Sequence, residues 1–201
     1  MIETIVSDLG NVLLKFDNRI FFQAMTRFSS RSVEEIRAVT HDHIDLLTLF
    51  EKGDISPFDF FKNAKDLLDV TASYEDFYSA YSDVFAVAPS VLDLFQRLKP
   101  RYRMILLSNT DVVRWTFIKS KFPEILFFDG YVLSFDVGAM KPQPEIYLEA
   151  IREGGAKPER TLFIDDMPEN VAGAERMGMK GIVLNEGVDL AAELRKFGVE
   201  G

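Results

Sequence analysis

The sequence contains no cysteine, and it has fewer basic than acidic side chains. Without cysteine, disulfides, thiolate catalysis and zinc–sulfur sites are excluded. The 201 residues include 32 acidic and 23 basic ones, a net charge of −9. Nucleic acids and anionic membranes bind clustered positive charge, so neither is expected as the main partner. No apolar run approaches the roughly 18 residues of a transmembrane helix. The start lacks the basic and apolar regions of a signal peptide, so we expect a cytoplasmic globular protein.

Five short apolar runs alternate with helical patterns along most of the chain. The runs cover residues 2–8, 103–110, 131–134, 161–166 and 181–184. Runs of this length, bounded by turn residues, are typical of buried strands in a parallel sheet. Helical patterns cover residues 91–98, 112–121, 144–153 and 170–177. The alternation predicts an α/β fold with a doubly wound, five-stranded, Rossmann-like parallel sheet.

Residues 18–88 have a different character, because aromatic side chains are dense there and strand-like runs are absent. Apolar residues recur at helical spacing, and Ser56-Pro57 has the pattern of a helix start with an N-cap and a proline at the first helical position. We therefore predict an all-helical insert, with the aromatic side chains forming its own core. The predicted domains are a core of residues 1–17 and 89–201 and a helical cap of residues 18–88.

Polar side chains stand at the ends of three predicted strands and in the loop after another. Asp8 ends the first strand, Ser108-Asn109-Thr110 ends the second, and Asp165-Asp166 ends the fourth. Lys141 lies in the loop that follows the third strand. Because the carboxyl ends of parallel strands share one edge, we expect these groups to converge on one crevice. Each has a simpler explanation alone, such as a helix cap for Asp8, but four coincidences at one edge favour a functional site.

Three carboxylates against one ammonium group predict a bound cation. Their mutual repulsion would raise carboxylate pKa values sharply unless a cation neutralised them. Oxygen ligands without histidine or cysteine nearby suit Mg²⁺, which usually takes a few protein oxygens, water and a phosphate. A carboxylate beside Mg²⁺, a hydroxyl donor and a lysine suits nucleophilic attack on phosphorus.

These stretches resemble the four motifs of the haloacid dehalogenase-like hydrolase superfamily. The motifs begin at Asp8, Leu107, Lys141 and Phe163, and they occur in the family's order along essentially the whole chain. The helical insert resembles that family's four-helix cap, called the C1 type. Within the superfamily, the chain resembles small bacterial sugar-phosphate phosphatases, including the α-D-glucose-1-phosphate phosphatase group. These share the Asp-Leu-Gly-Asn-Val sequence and a Glu-x-Gly-x-Ile-Ser sequence, here residues 51–56.

The resemblance implies how the motifs handle a phosphate group. Asp8 would be the nucleophile and would form an aspartyl-phosphate. Ser108 would donate a hydrogen bond to the phosphate, helped by the backbone N–H of Asn109, and Lys141 would bridge Asp8 and the phosphate. The residues expected to line the substrate are Gly10, Asn11 and Asn109.

The resemblance also implies the magnesium ligands. They would be the carboxylate of Asp8, the backbone carbonyl of Gly10 and the acidic pair, with Asp166 bound directly and Asp165 bound directly or through water. Asn170 follows in the next helix, where it either orients the acidic pair or is simply a polar residue at a helix start.

One position departs from the family pattern. Phosphatases of this family usually carry a second aspartate two residues after the nucleophile, as general acid and base, and this chain has Gly10 there. The departure leaves two other hypotheses open: a metal-free 2-haloacid dehalogenase, whose relatives also lack that aspartate, and a non-catalytic module that binds a phospho-ligand or a partner. Against the dehalogenase stands the pair Asp165-Asp166, which is costly to bring together without a cation. We therefore expect a Mg²⁺-dependent phosphatase acting on small phosphorylated metabolites, sugar phosphates among them.

The cap is expected to determine specificity. Its polar candidates near helix breaks are His41, His43, Asp45 and Glu51. Because an imidazole titrates near neutral pH, His41 or His43 could also replace the missing proton donor. The sequence leaves the substrate and the oligomeric state open.

Overall fold

The computed structural model describes residues 1–200, which form seven strands and eleven α-helices. The strands are β1 (Thr4–Ser7), β2 (Leu14–Phe16), β3 (Phe85–Val87), β4 (Arg103–Ser108), β5 (Gly130–Leu133), β6 (Thr161–Asp165) and β7 (Lys180–Val183). The helices are α1 (Arg19–Met25), α2 (Val33–Asp42), α3 (Ile44–Glu51), α4 (Pro57–Leu68), α5 (Tyr74–Ser82), α6 (Pro89–Leu98), α7 (Val112–Lys121), α8 (Ser134–Val137), α9 (Pro144–Gly154), α10 (Pro168–Arg176) and α11 (Leu190–Lys196). In this part of the chain, no helix is both long and apolar enough to cross a membrane.

Five strands form one parallel sheet in the order β5-β4-β1-β6-β7. Successive residues of a strand point to opposite faces of the sheet, so Ile5 packs in one apolar cluster and Val6 in another. Helices α6, α7 and α11 cover the first face, and α9 and α10 cover the second. The predicted α/β fold with a doubly wound, five-stranded parallel sheet is confirmed.

The cap helices α1–α5 lie between β2 and β3, which pair with each other as a short antiparallel ribbon. The aromatic side chains of these helices pack together, as predicted; Phe50 stacks on Phe60 with ring centroids 4.3 Å apart, and Phe77 and Tyr81 lie in the same cluster. The structure has five helices in this stretch, and β3 lies where no strand was expected. The division of the chain at residues 17/18 and 88/89 remains a prediction.

Local signals explain where individual helices begin and end. The hydroxyl of Ser56 accepts a hydrogen bond from the backbone N–H of Asp59, and Pro57 occupies the first helical position of α4. Serine and proline at these two positions satisfy or avoid the unpaired N–H groups of a first turn. Helix α3 ends at Glu51, two residues before a turn at Gly53, where φ is +74°. These two boundaries fix where α3 ends and α4 begins.

Candidate active site

Parallel pairing brings the predicted site residues to one edge of the sheet. Strand β1 pairs with β4 on one side and with β6 on the other, and Asp8, Ser108 and Asp165 stand at or just beyond the ends of these three strands. Lys141 reaches the same edge from the loop between α8 and α9. A cavity of about 460 Å³ opens here between the sheet and the cap. The expected crevice is therefore present, while the chemical role of each residue stays a prediction.

Lys141 joins two carboxylates in the floor of this cavity. Its Nζ lies 2.7 Å from Oδ1 of Asp8 and 2.6 Å from Oδ2 of Asp165, and all three side chains are nearly inaccessible to solvent. Burial raises the pKa of Asp8 to about 7; Lys141 opposes this rise and the charge of Asp165 adds to it. Burial alone would lower the pKa of Lys141, but the two carboxylates outweigh it and raise the pKa. The triad thus carries one more negative than positive charge when both carboxyls are ionised.

The carboxylate of Asp165 is held by several donors besides Lys141. Its Oδ1 accepts the backbone N–H of Met167 at 2.8 Å, and Nδ2 of Asn170 donates to both oxygens, at 3.0 and 3.2 Å. The hydroxyl of Tyr147 in turn donates to the carbonyl of Asn170 at 2.7 Å. Asn170 therefore contacts Asp165, one member of the acidic pair, from the first turn of α10. These donors fix the carboxylate of Asp165 in one orientation.

Three carboxylates at this edge fit a divalent cation. Asp8, Asp165 and Asp166 each offer an oxygen, and these oxygens lie within 4.8 Å of one another. Asp166 is half-buried, and its Oδ2 accepts a hydrogen bond from Nδ2 of Asn11 at 3.0 Å. Asn11 adopts a left-handed conformation with φ of +54°, which asparagine tolerates better than most residues. A donor set made of oxygens alone suits Mg²⁺.

The residues expected to contact a phosphate occupy two parts of the cavity wall. Ser108 is buried, and its hydroxyl lies 3.4 Å from the carbonyl of Asn109. The side chain of Asn109 is used elsewhere: Nδ2 donates to the carbonyl of Lys141 at 3.1 Å, and Oδ1 accepts its N–H at 2.8 Å. Gly10 and Asn11 also border the cavity. The Asn109 side chain therefore fixes the backbone of Lys141, and its own backbone N–H is the group that could reach a substrate.

The sequence patterns did not single out two charged residues near the cap, and one of them, Arg114, borders the cavity. Arg114 of α7 borders the cavity, stacks 4.0 Å from the ring centre of Tyr81, and donates from Nη2 to Oδ1 of Asn18 at 3.0 Å. Asp111 caps α7 and accepts the hydroxyl of Tyr81 at 2.8 Å; burial raises its pKa. The sequence offered one signal for Asp111 and Arg114: Asp111 directly follows the Ser108-Asn109-Thr110 motif.

The four cap candidates have different positions. Glu51, at the end of α3, borders the cavity, and burial raises its pKa to about 7. His41, His43 and Asp45 are exposed on the cap surface, and His43 also borders a separate apolar cavity inside the cap. None of these three borders the cavity that contains Asp8. The structure therefore brings neither histidine to the position of a replacement proton donor.

Comparison with known proteins identifies the family. The family model for haloacid dehalogenase-like hydrolases matches residues 2–178 of the chain. Because this match spans most of the sequence, the chain belongs to the haloacid dehalogenase-like hydrolase family. The predicted family and the predicted enzyme class, a hydrolase, are confirmed.

Individual relatives cover nearly the full length. D-ribitol-5-phosphate phosphatase of Bacteroides thetaiotaomicron is 28% identical, over 96% of this chain and 97% of that protein. The crystal structure of a haloacid dehalogenase family enzyme from the same organism has a TM-score of 0.86 at 26% identity, covering 96% of this chain and 98% of that one. A further structure of that enzyme, in complex with magnesium and inorganic phosphate, has a TM-score of 0.84 at 24% identity, covering 97% and 100%. At that identity the likeness concerns the fold.

Proposed function

We propose that the protein is a Mg²⁺-dependent phosphatase that hydrolyses small phosphorylated metabolites through an aspartyl-phosphate on Asp8. The observation that carries the proposal is the buried group of Asp8, Lys141 and Asp165, with Asp166 beside it, at one edge of the sheet. A nucleophilic carboxylate, a fixed cation and a set of oxygen ligands are what phosphoryl transfer requires.

Lys141 positions the carboxylate of Asp8 for attack on phosphorus. Oδ1 contacts the ammonium of Lys141, which favours the ionised carboxylate and fixes its orientation. Asp8, Asp165, Asp166 and the backbone carbonyl of Gly10 would hold Mg²⁺. When bound, the ion supplies positive charge that favours ionised carboxylates and neutralises phosphate oxygens.

The remaining residues would position the phosphoryl group. The hydroxyl of Ser108 and the backbone N–H of Asn109 would donate to its equatorial oxygens, and Lys141 would contact a third oxygen while still bound to Asp8. Donors aimed at these oxygens lower the barrier, because negative charge is spread over them in the transition state. The hydrogen bonds between Asn109 and Lys141 keep the two donors in a constant relation.

The relatives support the class of substrate. One of them is a phosphatase of D-ribitol 5-phosphate, and it matches this chain over almost all its length. A family enzyme from the same organism has been crystallised with magnesium and inorganic phosphate. Together with the oxygen-only donor set, these relatives make Mg²⁺ and phosphorylated sugars or alditols the first cofactor and the first substrates to test.

The test is phosphate release from a panel of phosphorylated metabolites and an aryl phosphate, with Mg²⁺ and with EDTA. We expect turnover that requires Mg²⁺ and a loss of about 10³-fold or more in Asp8→Asn, because a removed nucleophile has no substitute. Asp93→Asn, an exposed aspartate on α6, is the matched control. Mass spectrometry should exclude deamidation of the new asparagine.

Three results would contradict the proposal. Activity of Asp8→Asn within tenfold of wild type would show that Asp8 is not the nucleophile. Halide release from a 2-haloacid in EDTA would indicate the dehalogenase. Binding of phosphate compounds without any turnover would indicate a non-catalytic module.

A further inference from the structure

Gly10 stands where the family usually carries its proton-donating aspartate, and Phe16 fills the space beside Gly10. A side chain at position 10 would begin 3.1 Å from Cε1 of Phe16, a contact tighter than side chains normally make. Phe16 itself borders the catalytic cavity. Without a donor, the oxygen that leaves phosphorus would depart as an alkoxide, which is slow for any substrate that is not acidic. Another group must therefore supply this proton if alkyl phosphates are substrates.

The geometry of phosphoryl transfer limits where that group can be. The attacking and leaving oxygens lie roughly in line on opposite sides of phosphorus. Asp8 attacks from the sheet edge, so the leaving oxygen faces the cap. Six cap residues of the described chain border the cavity: Asn18, Ile44, Leu47, Thr48, Glu51 and Phe85. Glu51 alone among these six can transfer a proton near neutral pH.

The backbone of Glu51 is anchored to the core. Its carbonyl oxygen lies 2.5 Å from the hydroxyl of Ser134, which also contacts the backbone of Thr110. Two residues further on, the chain at Gly53 passes so close to Phe135 that an added Cβ would lie 2.5 Å from its carbonyl oxygen. The end of α3 is therefore held against α8, the short helix that follows β5, and Glu51 has a defined position over the cavity.

The carboxyl of Glu51 is surrounded by charges but paired with none. Within residues 1–200, Glu51 forms hydrogen bonds only through its backbone, and its carboxylate forms no salt bridge. It is faced by Arg114 and Asp111 from α7, by Lys141 from the loop before α9, and by Tyr81 from α5. Burial raises its pKa to about 7; Arg114 and Lys141 oppose the rise, and Asp111 adds to it. Near neutral pH, such a group can both give and take a proton.

We propose that Glu51 is the general acid and base of this enzyme. The inference rests on the proposed phosphatase function and adds the proton transfers to it. In the first step, the bond from Asp8 to phosphorus forms, the bond from phosphorus to the leaving oxygen breaks, and the proton of Glu51 moves to that oxygen to give an alcohol. In the second step, a water oxygen in the same position bonds to phosphorus, the bond to Asp8 breaks, and the water proton returns to Glu51.

The discriminating experiment compares two substrates on Glu51→Gln. For an alkyl phosphate such as ethyl phosphate, we expect kcat/KM to fall about 10²–10⁴-fold, the usual contribution of a positioned acid. For p-nitrophenyl phosphate, whose leaving group is stable as an anion, kcat/KM should change little. Its time course should instead show a burst followed by slow turnover, because hydrolysis of the phosphoenzyme also loses its base. Glu75→Gln, an exposed glutamate of the cap, is the matched control.

A second variant separates proton transfer from a merely structural role. Glu51→Ala leaves space in which formate can act, so added formate should restore alkyl phosphate hydrolysis if Glu51 transfers the proton. Equal losses for both substrates, or no rescue by formate in a variant with a normal melting curve, would overturn the inference. The phosphatase function has a separate readout, since it depends on Mg²⁺ and Asp8 in the wild-type protein and does not involve Glu51.

Discussion

At the scale of single residues, the site has too little positive charge for its carboxylates. Lys141 contacts both Asp8 and Asp165, and Asp166 lies close enough to share a cation with them. One ammonium group cannot neutralise three carboxylates, so the protein without a metal contains unrelieved repulsion. This imbalance explains why a metal ion should stabilise the native state.

Magnesium should therefore raise the melting temperature of the wild-type protein. A ligand that binds only the native state adds about 2.7 kcal/mol at a hundredfold excess over its dissociation constant. Asp166→Asn should lose this gain and, measured in EDTA, should be as stable as wild type or more so, because one repelling charge is gone. Thermal unfolding with and without millimolar MgCl₂ measures both effects. Glu169→Gln, an exposed acid three residues away, should keep the full gain; no gain in wild type would show that the proposed metal site is wrong.

The sequence predicted those site residues that stand at strand ends. Asp8, Ser108 and Asp165 can be found this way because parallel strands bring their carboxyl ends to a common edge. Arg114 could not be found, since it lies within a helix and reaches the cavity only through the packing of α7 against the cap. Glu51 could be found as a polar residue at a helix end, but its partial burial and its unpaired state depend on tertiary contacts.

At the scale of secondary structure, Gly53 joins the cap to the core. It has a φ of +74°, and its Cα faces the carbonyl of Phe135 with no room for a side chain. Gly155, at the end of α9, has a similar φ of +70° but open space around it. Both glycines have a left-handed backbone conformation, but only Gly53 also makes a close contact between cap and core.

Substituting both glycines separates these two effects. Gly155→Ala should cost about 1–2 kcal/mol, the penalty of a left-handed conformation. Gly53→Ala should cost about 1–3 kcal/mol more, because the added methyl group displaces backbone of the core. Urea denaturation measures both costs. Gly53→Ala should also lower kcat/KM, since Glu51 moves with the chain; equal costs and unchanged activity would mean that this contact does not hold the cap.

Elements of the fold differed in how well the sequence predicted them. Each strand of the central sheet was predicted to within about two residues, because these buried strands are short apolar runs bounded by turns. The sequence did not predict the ribbon of β2 and β3. Each strand has only three residues with half-exposed side chains, so no alternation of apolar and polar residues can be recognised. The four-residue helix α8 is too short for any periodicity to appear.

At the scale of the whole molecule, buried acids link folding to pH. The pKa values of Asp8 and Glu51 are both raised to about 7 by burial, and burial also raises that of Asp111. Between their unfolded values near 4 and their folded values, the native state binds more protons than the unfolded state. The free energy of unfolding therefore falls as pH rises through this window and levels off above about 7.

This dependence should be visible in EDTA between pH 5 and 7.5. Urea denaturation should give a lower free energy of unfolding at each higher pH, and Glu51→Gln should reduce the slope by removing one of the titrating groups. Surface acids whose pKa values are lowered, such as Asp17 and Glu149, are largely ionised in both states over this range and so contribute little. Stability that increased with pH across this range would contradict the assignment of these buried acids.

During synthesis on a ribosome, β1 emerges long before either of its neighbours. It pairs with β4 from Arg103 onward and with β6 from Thr161 onward, so both partners are made after the entire cap. The buried aromatic cluster of the cap runs only from Phe21 to Val84 and can pack as soon as that stretch is free. Asp8 meets Lys141 and Asp165 only after most of the chain has been translated, so the cap segment is complete well before the proposed active site can assemble.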